Sequence, residues 1–154
     1  MRSFNEADRE KKSERIQIKE NYGNLSGELI AQVEGTIKSS LKEGYLPCPI
    51  AWKIARDYNI PKIAVGEIAD RLGIRITNCQ LGCFKIEKTP YNESAHKNID
   101  GEVITLLEDL EEKGQLTCST IFDLARQSKI KPIAISNEMS ARGMKICGCQ
   151  LGCF

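Results

Sequence analysis

The sequence predicts a mainly α protein: two tandem three-helix units, each with a short strand or loop after its third helix. Three observations carry that prediction. The hexapeptide Cys-Gln-Leu-Gly-Cys-Phe occurs twice, at Cys79–Phe84 and at Cys149–Phe154. Its offset of 70 residues continues into the flanks, where Glu28–Phe84 and Asn98–Phe154 share 17 identities in 57 aligned pairs. Within each copy, apolar residues recur three times at helical spacing, and Gly or Pro separates the runs. Self-similarity at one offset marks a duplicated structural unit.

The elements follow in chain order. Residues 1–25 form a charged leader in which Asn5–Glu20 offers only Ile16 and Ile18 as large apolar residues, and it reads as a flexible arm. Unit one covers residues 26–84. Ser26 is placed to cap a first helix carrying Leu29, Ile30, Val33, Ile37 and Leu41 and ending at Gly44. Cys48-Pro49 opens a second helix, since Pro suits the first turn, where its missing N–H is not needed. Ile50, Ala51, Ile54, Ala55 and Tyr58 give that helix its apolar face. After the turn Asn59-Ile60-Pro61, a third helix runs from Lys62 to Leu72 and stops at Gly73. Ile74-Arg75-Ile76 then alternates like a short strand. Residues 85–97 read as a linker. Unit two, residues 98–154, repeats the scheme with helices at Ile99–Lys113, Ser119–Ser128 and Pro132–Arg142, Gly143 as the stop and Met144–Ile146 as the strand.

Composition narrows the function classes. The 154 residues include 41% hydrophobic ones, enough for one medium core or two small ones. No apolar run reaches the roughly 18 residues of a bilayer span, and no signal-peptide core follows the N-terminus. A cytoplasmic protein without a membrane partner is expected. There, a repeated pattern among seven cysteines points to metal or redox chemistry more than to a disulfide framework. Net charge is +1 overall, with a balance of +2 through Phe84 and −1 from Lys85 onward. Nucleic-acid binders usually carry a basic surplus, so a DNA role must rest on a local patch. There is no phosphate-binding glycine loop, nucleophile–base pair or zinc-protease motif, so no catalytic residue is assigned and an ordinary enzyme is not expected.

In the second and third helices of unit one, Ile54, Ala55, Ile60, Val65 and Ile68 fall where a helix-turn-helix needs small and aliphatic residues. Unit two supplies Leu124, Ala125, Ile130 and Ile135, with Glu138 in place of the last aliphatic. Asn59 and Lys129 stand at the turn position where Gly is usual. The pattern resembles the helix-turn-helix and, more loosely, the winged-helix families of DNA-binding proteins, over about 45 residues per unit. The resemblance implies that the third helices enter the major groove. Unit two then offers Lys131, Ser136, Asn137 and Ser140 to base edges, and Arg142 and Lys145 to phosphates. Unit one offers Lys62, Arg71 and Arg75, opposed by Glu67 and Asp70.

The cysteines form a second constellation. Each unit has one Cys before its second helix (Cys48, Cys118) and a Cys-x3-Cys pair after its strand (Cys79 and Cys83; Cys149 and Cys153). At the start of a helix the macrodipole favours a thiolate, and Gly82 inside the pair argues for a tight loop. If Cys48, Cys79 and Cys83 converge, as Cys118, Cys149 and Cys153 then do, three thiolates are offered per unit. Zinc wants four ligands, and Cys147 supplies a fourth in unit two alone. An iron–sulfur cluster with one labile iron fits three thiolates. A thiol–disulfide switch needs only Cys79 with Cys83 and Cys149 with Cys153, and cysteines packed as small hydrophobes need no cofactor. His96, in the linker, reads as solvated, and Trp52, matched by Phe122, reads as core or interface.

Two functional readings stand. One is a DNA-binding transcription regulator whose cysteine sites respond to metal or redox state. The other is a non-DNA, metal-binding adaptor or metallochaperone-like protein acting through protein contacts. The metal, the DNA site and the oligomeric state are left open by the sequence.

Overall fold

The computed structural model describes residues 6–13, 24–84 and 99–154; the whole predicted linker, with His96, lies outside these. The described chain is mainly helical: α1 (Glu6–Ser13), α2 (Gly27–Ser39), β1 (Leu46–Pro47), α3 (Cys48–Asp57), α4 (Lys62–Arg71), β2 (Ile76–Thr77), α5 (Gly101–Glu112), α6 (Cys118–Ser128) and α7 (Pro132–Ala141). No helix among the described residues is long and apolar enough to cross a membrane. The chain divides into two compact units. One comprises Met1–Cys79 together with Gln150–Phe154, and the other Gln80–Cys149. The sequence repeat breaks at residues 84 and 98, so each hexapeptide is cut after its first cysteine.

In the first unit, the Leu29 N–H donates to Ser26 Oγ at 3.2 Å, which fixes the start of α2. Val33 and Ile37, one turn apart, are fully buried on its inner face. The helix ends at Ser39, five residues before Gly44. Glu43 and Gly44 both take positive φ, 51° and 84°, in a reversing turn closed by the Lys42–Tyr45 bridge. Gly44 thus serves the turn and not the helix stop. Pro49 opens α3, which buries Ala51, Ile54 and Ala55. Asn59, at φ 52°, turns the chain into α4; Asn tolerates that left-handed conformation better than most residues. Gly73 follows the end of α4 at φ 68°, and the Ile74 N–H closes back on the Ala69 carbonyl at 2.9 Å. Ile74 is therefore spent on the helix end, and the strand begins only at Ile76. β1 and β2 pair in parallel, Leu46 with Ile76 and Pro47 with Thr77. Of the leader, residues 6–13 form α1, and Asp8 reaches Arg75 at 3.5 Å.

The second unit keeps the helices of the first. α7 begins and ends 70 residues after α4, and α6 begins 70 residues after α3. Here Gly114, at φ 64°, does stop the first helix: the Gln115 N–H bonds to the Leu110 carbonyl at 2.8 Å. Met144–Ile146 is not a strand. Thr117, the counterpart of Pro47, folds into a capping box with Thr120 at the start of α6. That local bonding competes with a strand ladder. Between the two counterpart segments the Cys147 N–H still bonds the Leu116 carbonyl at 2.9 Å and the Cys118 N–H the Gly148 carbonyl at 2.8 Å, without a strand on either side. Lys129 holds the turn at φ 56°, a conformation that costs a β-carbon-bearing residue about 1–2 kcal/mol.

Candidate functional site: the covered third helices

Seven of the ten residues of α4 are buried: Ile63, Ala64, Val65, Gly66, Ile68, Ala69 and Asp70. A surface helix buries one stripe, whereas α4 is covered on more than one side. Helices α2 and α3 pack on it, and at Gly66 the cover is the hexapeptide. A β-carbon built on Gly66 would lie 1.9 Å from the Leu151 carbonyl oxygen, so only glycine admits this approach. The Lys62 ammonium donates to Gln150 Oε1 at 2.7 Å and stands 4.1 Å over the Trp52 ring. Leu151 is the anchor, with 1% of its surface exposed.

The second unit has the same contact with a different residue. Ser136 stands 70 positions after Gly66, and its hydroxyl donates to the Leu81 carbonyl, the counterpart of Leu151. Ser136 is 5% exposed and Leu81 2%. Where α4 offers no side chain to the incoming carbonyl, α7 offers a short donor that satisfies it. Both hexapeptides turn at a left-handed glycine, Gly82 at φ 74° and Gly152 at φ 68°. The hexapeptide of each repeat therefore seats on the third helix of the other repeat. The sequence signal for this was Gly66, a helix-interior glycine matched by another small residue; such a glycine costs about 1 kcal/mol and usually has a packing reason.

The residues expected to read DNA differ in exposure and in their partners. Lys131, Ser140, Arg71 and Lys145 are exposed, and Asn137 is half-buried. Ser136 is buried against Leu81, Lys62 is bonded to Gln150, and Arg75 faces Asp8. Arg142 donates to Glu138 at 2.7 Å and lies 3.7 Å from Glu108. Glu138, which breaks the aliphatic pattern of the third helix, thus has a polar partner one turn on.

The cysteines are also regrouped. Cys48, Cys79 and Cys153 belong to the first unit; Cys83, Cys118, Cys147 and Cys149 belong to the second. Among the described residues no group of three or more His, Cys, Asp or Glu side chains is placed to hold a metal ion. The two sets expected to converge, Cys48 with Cys79 and Cys83, and Cys118 with Cys149 and Cys153, each draw their members from both units. The crossover after Cys79 and Cys149 assigns the members of each Cys-x3-Cys pair to different units. Cys48, Cys79, Cys118 and Cys149 are buried, Cys153 is half-buried, and Cys83 and Cys147 are exposed. Cys147 Sγ lies 3.4 Å from the Gly114 and Leu116 carbonyls. Brief alkylation of the folded protein should modify Cys83 and Cys147 well before Cys48 and Cys118, as peptide mass mapping will show. Equal labelling of all seven would contradict the burial pattern.

Compared with protein-family models, curated proteins and solved structures, the chain matches none.

Proposed function

We propose that the chain is a DNA-binding regulator of helix-turn-helix type whose reading helices are covered by the duplicated hexapeptide until a signal acting on its cysteines frees them. The observation behind this reading is the equivalent contact on both third helices, Gly66 with Leu151 and Ser136 with Leu81. In a helix-turn-helix, that helix enters the major groove. With its face covered, DNA affinity is scaled down by the fraction of molecules that are open. Once the face is open, Ser136 and Asn137 join Lys131 and Ser140 at base edges, while Lys145 and Arg142 meet phosphates. Unit one contributes Arg71 and Lys62.

The signal enters at the hexapeptide's cysteines. A thiophilic ion such as zinc, or an iron–sulfur cluster, shifts the balance toward the uncovered form if it binds the hexapeptide thiolates more tightly there. Oxidation by a hydroperoxide does the same by closing Cys79 on Cys83. The S–S bond forms as the two thiols lose two protons and two electrons, and the hydroperoxide takes both pairs as its O–O bond breaks, giving an alcohol and water.

A second reading is supported by α5, which carries Glu102, Glu108, Asp109, Glu111 and Glu112 together with Leu106, 49% exposed. With a net charge of only +1, such an acidic surface suits a protein partner better than a phosphate backbone. That is the adaptor reading.

Fluorescence anisotropy against a pool of DNA duplexes at low salt separates the two. Leu81→Asp places a charge in the seat on α7 and should raise DNA affinity at least about tenfold, which corresponds to removing a bias of about 1.4 kcal/mol toward the covered form. On that background, Asn137→Ala should weaken specific binding more than non-specific binding. Lys145→Ala should weaken both and reduce the salt slope by about one. If neither the wild type nor Leu81→Asp binds DNA at low salt, the adaptor reading replaces this one.

A further inference from the structure

The two unit boundaries fall between Cys79 and Gln80 and between Cys149 and Gln150, at the same place in both repeats. The exchange of hexapeptides is therefore reciprocal, as in a swapped pair of identical subunits, but carried out within one chain. We infer that a second copy of this chain is a partner for the α4 and α7 faces, its hexapeptides seating where the chain's own now seat. Three observations carry this. The two hexapeptides are identical, so neither seat can tell which one it holds. The seats are alike, a small residue on the third helix (Gly66 or Ser136) facing a leucine carbonyl. The anchors Leu81 and Leu151 are almost wholly buried, so an emptied seat leaves apolar surface that a second copy covers in the same way. Exchanging a like element between protomers is a low-cost route to dimers, because the packing and hydrogen bonds given up within the chain re-form between chains.

What opposes it is proximity: a tethered segment competes at an effective concentration on the order of millimolar. Dimer formation of this kind does not depend on DNA binding. The test is to unfold the whole chain under reducing conditions and refold it at roughly millimolar and at roughly micromolar concentration, as that competition sets the scale. Light scattering on a sizing column then reads the mass. The dimer fraction should rise at least about tenfold between the two and should persist for hours after dilution, since the exchange requires both seats to open. Refolding an equal mixture of isotopically heavy and light chains should give mixed dimers in native mass spectra. The double substitution Leu81→Asp with Leu151→Asp should abolish the dimer. A monomer under all conditions overturns the inference, and so does a dimer that survives the double substitution, because it would use another surface. Should the double variant not fold, the wild-type concentration series and the persistence on dilution still decide.

Discussion

Leu151→Ala should destabilise the protein by about 2–5 kcal/mol, the range for removing a buried leucine and leaving a partly collapsed cavity. Leu151 lies outside every regular element and in the last residues of the sequence, where a truncation is ordinarily harmless. It is nonetheless 1% exposed, with its backbone against Gly66 of α4. Leu81→Ala should cost a similar amount, because Leu81 is the same anchor on α7. Urea unfolding followed by circular dichroism reads both. A change below about 0.5 kcal/mol, the ordinary range for a surface substitution, would mean that the hexapeptide is not seated.

Gly66→Ala and Gly35→Ala should move stability in opposite directions. Both glycines lie inside helices, where Ala is intrinsically better by about 1 kcal/mol. At Gly35 in α2 nothing lies within 4 Å of the added carbon, so that gain should be realised. At Gly66 the added carbon would lie 1.9 Å from a backbone oxygen, and either α4 or the hexapeptide must shift. Overpacking of this kind costs about 1–3 kcal/mol, so Gly66→Ala should destabilise despite its better propensity. The same urea titration tests the pair, and a gain at both positions would show that Leu151 is not against α4.

The helices were legible in the sequence because their signals are local. Apolar spacing, Pro49 in a first turn and the stops Gly73 and Gly143 place α3, α4, α6 and α7 within a residue or so of their bounds, and Ser26 places the start of α2. Gly44 and Gly114 show the limit. The same residue at the same offset closes a reversing turn in one repeat and a helix in the other, because Glu43 also adopts a left-handed conformation. The seating of the hexapeptides was not legible. With both copies identical, seating on the parent repeat and on its neighbour satisfies the same local preferences, and only three-dimensional connectivity decides between them. That one ambiguity hid the contacts on the third helices. Ser136 has the chemistry expected of a base reader, yet its hydroxyl is spent on Leu81. Cys79 and Cys83 are four residues apart, yet they belong to different compact units. Polarity and spacing identify what a residue can do, and burial determines whether it is available to do it.

The central claim, that each repeat's hexapeptide completes the other repeat, is tested most directly by dividing the chain between Pro90 and Tyr91. The two halves are produced as separate polypeptides, mixed under reducing conditions and passed over a sizing column with mass detection. The account predicts a one-to-one complex that co-elutes and that Leu81→Asp with Leu151→Asp dissociates. Two halves that fold and elute separately would contradict it, because each would then hold its own hexapeptide.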